Sequence, residues 1–191
     1  MEGLMTAVLA FIVGDYYVTF TVIAVIIALA VGGVRHRWAQ GTGWRTILDW
    51  WTLWVAGIAN LVNFVFHSVL GDFSAQQIGW EQSPFQMELA LSSLGIGIAS
   101  VVAFPRRAGW AAKLVGNVPN MVFLFGAGVV HLVDIIETGN MAFGNAGPIF
   151  WSDFYLPIAT VVVLVFAGRE ALNASRAPEP RRPRSTGALS R

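Results

Sequence analysis

Five stretches of this chain stay apolar for about 20 residues or more, the length a helix needs to cross the hydrocarbon core of a bilayer. They fall at about residues 4–34, 46–70, 84–104, 111–137 and 148–168. An all-α integral membrane bundle of five transmembrane helices is the expected fold, occupying residues 1–170. The first stretch is longer than one straight span requires and is interrupted at Gly14-Asp15. Residues 1–13 therefore either prolong a tilted helix or lie along the outer interface. No Lys or Arg precedes this stretch, so a cleaved signal peptide is not expected.

The basic residues orient the bundle. Arg35, Arg37 and Arg45 lie between the first two stretches, and Arg106, Arg107 and Lys113 between or just inside the third and fourth. The remaining six, Arg169, Arg176, Arg181, Arg182, Arg184 and Arg191, follow the fifth. Loops 71–83 and 138–147 have none. The positive-inside rule then places the N-terminus outside and the C-terminus inside, as an odd number of spans requires. Residues 171–191 mix Pro, Arg, Ser and Ala without apolar periodicity and read as a basic, disordered cytoplasmic tail after a short helical extension.

Charged residues are only 12% of the chain, about half the share of a soluble domain, and apolar ones are 55%. That balance excludes a disordered chain, a nucleic-acid-binding protein and an ordinary cytosolic enzyme. The absence of cysteine removes disulfides, thiolate ligands and cysteine nucleophiles. There is no phosphate-binding glycine loop, nucleophile elbow or HExxH helix, so no reaction is assigned.

Local chemistry explains much of the loops. Gly71 follows the second stretch as a glycine follows a helix end, and residues 73–78 suit one short turn closed by Gly79 and anchored by Trp80. Ser83-Pro84-Phe85-Gln86 reads as an N-cap, a first-turn proline and a capping box. Gly139 is placed to end the fourth span. Small residues at spacing four, Ser93 with Gly97 and Gly95 with Ala99, put the third span in the centre of the bundle. Pro119 and Pro157 should kink the fourth and fifth.

Eight of the eleven acidic residues and two of the three histidines gather on the outer side. At about 1.5 Å per residue, Glu88, His131 and Asp153 lie roughly 7–11 Å above the midplane, with His67 slightly higher. Asp134 is one turn beyond His131, and Asp15 reaches the same level if the first span is long. Charges on a lipid face are costly, so these groups should point inward. Asn60, Asn63 and His67 form a stripe at i, i+3, i+7, and His131 and Asp134 share a face. Two imidazoles with several carboxylates suit zinc, iron, copper or manganese: His67 and His131 as nitrogen ligands, Glu88 and Asp134 as oxygen ligands, and Asp153, Asp15, Asn63 and Asp72 as the surrounding polar cluster. The same groups suit a proton relay in a small ion-coupled transporter, or a structural network that holds the bundle together. Haem with two axial histidines fits the acidic surroundings less well. Asp49 and His36 lie on the basic side, where they should simply pair. Beyond the lipid bilayer, a second copy of the chain or a larger membrane complex are candidate partners.

The strings His67-Ser-Val-Leu-Gly71-Asp72, Ile78-Gly79-Trp80 and Ser83-Pro84-Phe85-Gln86-x-Glu88 carry a resemblance, as do Gly128-x-x-His131, Asn145-Ala-Gly147-Pro148 and Trp151-x-Asp153. Over about residues 45–168 the chain resembles a family of small bacterial and archaeal integral membrane proteins known only as a domain of unknown function. The resemblance implies a prokaryotic cell membrane and a shared outer-face motif; it brings no activity with it.

Overall fold

The computed structural model describes residues 14–176, and every regular element among them is helical. Helix α1 is Tyr16–Val34. Helix α2 runs through Gly43–Ser68, and α3 is Gly71–Ile78. Helix α4 is Phe85–Ala103. After a 3-10 turn at Arg106–Ala108 come α5, Gly109–Thr138, the short α6, Phe143–Ala146, and α7, Pro148–Arg176. Residues 1–13 and the tail beyond Arg176 lie outside the described residues.

Among the described residues, four helices are long and apolar enough to cross a membrane: Tyr16–Val34, Phe85–Ala103, Arg106–Thr138 and Phe143–Arg176. Helices α2 and α3, joined at a 94° bend, pass the same test only as a pair, so the count is four, or up to five if that pair is one span. The outer surface agrees with that reading. Val22, Ile26, Val102, Val122 and Ile158 are all at least half exposed. Water would penalise such a shell, whereas lipid tails match it.

Helix ends follow their local chemistry in most places. Asp15 caps α1, its Oδ1 accepting from Val18 N at 3.0 Å. Gly79 and Gly139 close α3 and α5 at φ 81° and 72°, backbone that favours glycine. Gly71 departs from expectation: it opens α3 rather than closing α2. The chain turns at Leu70, and Ser74 Oγ donates back to Phe66 O at 2.7 Å to hold the bend. The capping box is also absent. Ser83 makes no side-chain cap, since Gln86 N donates to Ser83 O at 3.1 Å, and Gln86 Nε2 reaches across to Gly71 O at 2.8 Å instead of back along its own helix.

The centre of the bundle is α2, not the third span. It touches α1, α4, α5 and α7, whereas α4 packs mainly on α2 and α5. The small-residue stripe of α4 does serve close approach, but to this neighbour. A Cβ at Gly97 would meet Leu61 Cδ2 at 2.8 Å and Gly57 O at 3.1 Å. Gly95, in the same stripe, faces open space. Within α2, residues Thr52–Ile58 form a π-helix, with Ala59 N bonding to Trp54 O. Thr52 Oγ1 donates to Leu48 O at 2.7 Å and Asn60 Nδ2 to Ala56 O at 2.9 Å, so side chains flank the irregular turn with extra bonds to carbonyls.

Interhelical hydrogen bonds run down the bundle. Asn60 Nδ2 donates to Asn120 Oδ1 at 2.6 Å, Asn117 Nδ2 to Thr52 Oγ1 at 2.9 Å, and Trp51 Nε1 to Thr160 Oγ1 at 3.0 Å. Around them Val55, Leu124 and Leu156 are fully buried. At the basic end, Lys113 Nζ pairs with Asp49 Oδ1 at 2.8 Å and donates to Phe104 O at 2.6 Å. Asp49 thus finds a lysine of α5 rather than the arginines expected, and His36 is exposed. Glu170 receives Trp44 N and Arg45 N, both at 3.0 Å, which clamps α7 to the start of α2.

Candidate functional site

All seven helices converge on a cavity of about 630 Å³ at the end of the bundle where α3 and α6 sit. Tyr16, Tyr17, Phe66, Phe73, Trp80, Phe123 and Phe143 give it an aromatic wall. Its titrating side chains other than tyrosine are His67, His131 and Asp153, and neither Lys nor Arg lines it. Volume and lining are those of a site for a small organic molecule.

The His131–Asp153 pair depends on one close helix crossing. At Gly128, one turn before His131, a Cβ would lie 3.0 Å from Asp153 Cβ and 3.0 Å from two ring atoms of Phe154. Glycine therefore lets α7 approach α5, and His131 Nε2 comes to 3.9 Å from Asp153 Oδ2. The other ring nitrogen, Nδ1, is 2.6 Å from Asn145 Oδ1. Because Asn145 Nδ2 donates to Asn140 O at 2.8 Å, its oxygen must accept, so His131 carries a proton on Nδ1. The other nitrogen, Nε2, is the one that faces Asp153.

Asp153 is 3% exposed, and no hydrogen bond from any described residue reaches its carboxylate. Tyr17, 1% exposed, also lines the cavity, and its hydroxyl has no hydrogen-bond partner among the described residues. Neighbouring polar groups are instead fully engaged. Tyr16 OH donates to Asn63 Oδ1, and Asn63 Nδ2 donates to Ser93 Oγ at 2.8 Å.

Trp80 covers one side. Its ring stacks on His131 at 5.3 Å and 20°, and its Nε1 donates to Asp134 Oδ2 at 2.8 Å. Asn140 Nδ2 donates to the same oxygen at 2.7 Å and to Ile78 O at 2.8 Å, tying the two loops together.

The expected metal set is not assembled. Among the described residues no three His, Asp or Glu side chains are grouped to hold a metal ion. Glu88 is exposed and does not line the cavity. Asp134 is committed to Trp80, Asn140 and Thr138, which occupies its lone pairs. Asp15 caps α1 and accepts from Ser152 Oγ, which makes it a tie between α1 and α7 rather than a cavity group. Asp72 is exposed. His67 does line the cavity, its Nδ1 held 3.3 Å from Gln86 Nε2. Sequence reasoning missed Tyr17, Asn145 and the covering role of Trp80. Trp80 and Asn145 lie in strings that stood out; Tyr17, one of many aromatics in an apolar run, carried no signal.

An all-helical bundle whose helices have membrane-crossing length and apolarity, closed around an aromatic cavity, defines the class of protein. Within it the chain belongs to DUF6790, a family of unknown function whose model matches residues 14–173. That match takes in α1, which lies outside the motif resemblance over 45–168. No curated protein and no solved structure shows significant similarity to the chain.

Proposed function

We propose that this is a multi-pass membrane protein, N-terminus outside and C-terminus inside, that binds a small amphipathic molecule in a cavity of its outer half. The confinement of Lys and Arg to three segments supports the orientation. The observation that carries the reading is the cavity itself, aromatic on most sides yet holding a carboxylate and a tyrosine hydroxyl that no described residue hydrogen-bonds. Polar atoms left unmade in an apolar site are costly, and a bound polar group relieves them. Binding is favoured over conduction because Val55, Asn60, Asn120 and Leu156 are fully buried in the bundle, and the pocket at the basic end, beside Asp49 and Lys113, is only about 50 Å³.

Isothermal calorimetry with triphenylphosphine oxide, a neutral amphiphile, tests this on protein in dodecyl maltoside micelles. Saturable heat is expected from the wild type. Ala127 lines the cavity, so Ala127→Trp should fill it and abolish that heat. Identical titrations of the two proteins would end the proposal.

A further inference from the structure

Resting on that cavity reading, we propose that its guest is a lipophilic cation, a hydrophobic amine or onium ion, with its charge beside Asp153 and its apolar body against the aromatic wall. The charge balance of the lining comes first. One carboxylate, two imidazoles and no Lys or Arg make the cavity inhospitable to phosphate, carboxylate or sulfonate headgroups. Asp153 has a single ionic neighbour within 4 Å among the described residues, His131, and no hydrogen-bond donor. His131 spends its Nδ1 proton on Asn145, and its Nε2 stands 3.9 Å from Asp153 Oδ2, too far to donate a hydrogen bond to it. A carboxylate in this position takes up a proton or a cation.

The rest of the lining selects which cation. A metal ion needs several oxygen or nitrogen ligands, and no such group of three exists among the described residues. A small hydrated ion would have to leave its water for an apolar wall. A bulky organic cation meets no such penalty: its substituents bury apolar surface, and its positive centre is attracted to ring faces such as those of Tyr16, Tyr17 and Trp80. For a protonated amine, the hydroxyl oxygen of Tyr17, unpartnered among the described residues, supplies a further acceptor in the same cavity. Asp15, on the neighbouring α1, is held by Val18 N and Ser152 Oγ and does not line the cavity.

Tetraphenylphosphonium and tetraphenylborate, equal in shape and opposite in charge, discriminate when titrated beside triphenylphosphine oxide under the conditions above. The phosphonium is expected to bind roughly tenfold or more tightly than the oxide, and the borate to give no saturable heat. Asp153→Asn should cut the cation-over-neutral ratio by at least the same factor. Oxide binding without preference for the phosphonium overturns the cation assignment and leaves the cavity reading standing. Failure of all three probes overturns both. A preference that survives Asp153→Asn would move the charge recognition elsewhere. The wild-type comparison of the three probes needs no variant, so it tests the cation assignment even where Asp153→Asn misfolds.

Discussion

Replacing Gly128 by alanine tests the crossing that brings His131 to Asp153. The new Cβ would lie 3.0 Å from Asp153 Cβ and from Cε2 and Cζ of Phe154. Carbon–carbon contact is best at about 3.8 Å, so three contacts are each short by about 0.8 Å. Neither neighbour can step aside cheaply. Asp153 Cβ moves only with its backbone, and the Phe154 ring is wedged edge-on between Phe125 and Phe150, at 5.8 Å and 5.3 Å. The helices must therefore part, an overpacking that costs about 1–3 kcal/mol. Alanine also returns up to about 1 kcal/mol of helix propensity. Gly126, two residues away with open space at its Cβ, isolates that gain. Unfolding by SDS in mixed micelles should show Gly128→Ala less stable than Gly126→Ala by about 1–3 kcal/mol. Equal stability of the two variants would refute the crossing as described.

Three further outcomes follow from the same packing. Lys113→Met should cost about 3 kcal/mol in the same assay by stranding Asp49, whereas pairing it with Asp49→Leu should recover most of the loss. A double-mutant cycle on Asn60 and Asn120, each to Ala, should give a coupling of about 0.5–1.7 kcal/mol, and a value of zero would deny their hydrogen bond. Because the chain has no cysteine, single cysteines report topology cleanly. An impermeant thiol reagent on intact cells should label Gln82→Cys and spare Gln40→Cys; the opposite pattern would invert the orientation.

Much of this fold could be read from residue patterns, because long apolar runs, glycine stops and arginine placement are local signals. Gly79 and Gly139 end helices through contacts within a few residues, so their roles are visible in the string, whereas Asp15, read as part of the polar cluster, caps α1. The π-turn of α2 was not, since i to i+5 bonding leaves no distinct periodicity in Thr52–Ile58. Gln86 shows the same limit from another side: its local partner was predictable, and a carbonyl 15 residues away won it. At the site, the level of His67, His131 and Asp153 along their helices was legible, but rotation about the helix axis was not. That rotation exposes Glu88 and commits Asp134 to Trp80. The cavity had no signature at all, because it is a space left among seven helices rather than a property of any one.

A single cysteine at Ala127 tests the central claim, that the cavity is a binding site, most directly. In the cavity, the Ala127→Cys thiol should react with N-ethylmaleimide, and saturating triphenylphosphine oxide should slow that reaction in proportion to occupancy. Val122→Cys, on the exposed apolar surface, should be indifferent to the probe. Protection confined to position 127 is the predicted result; equal rates at 127 with and without the probe would contradict the account.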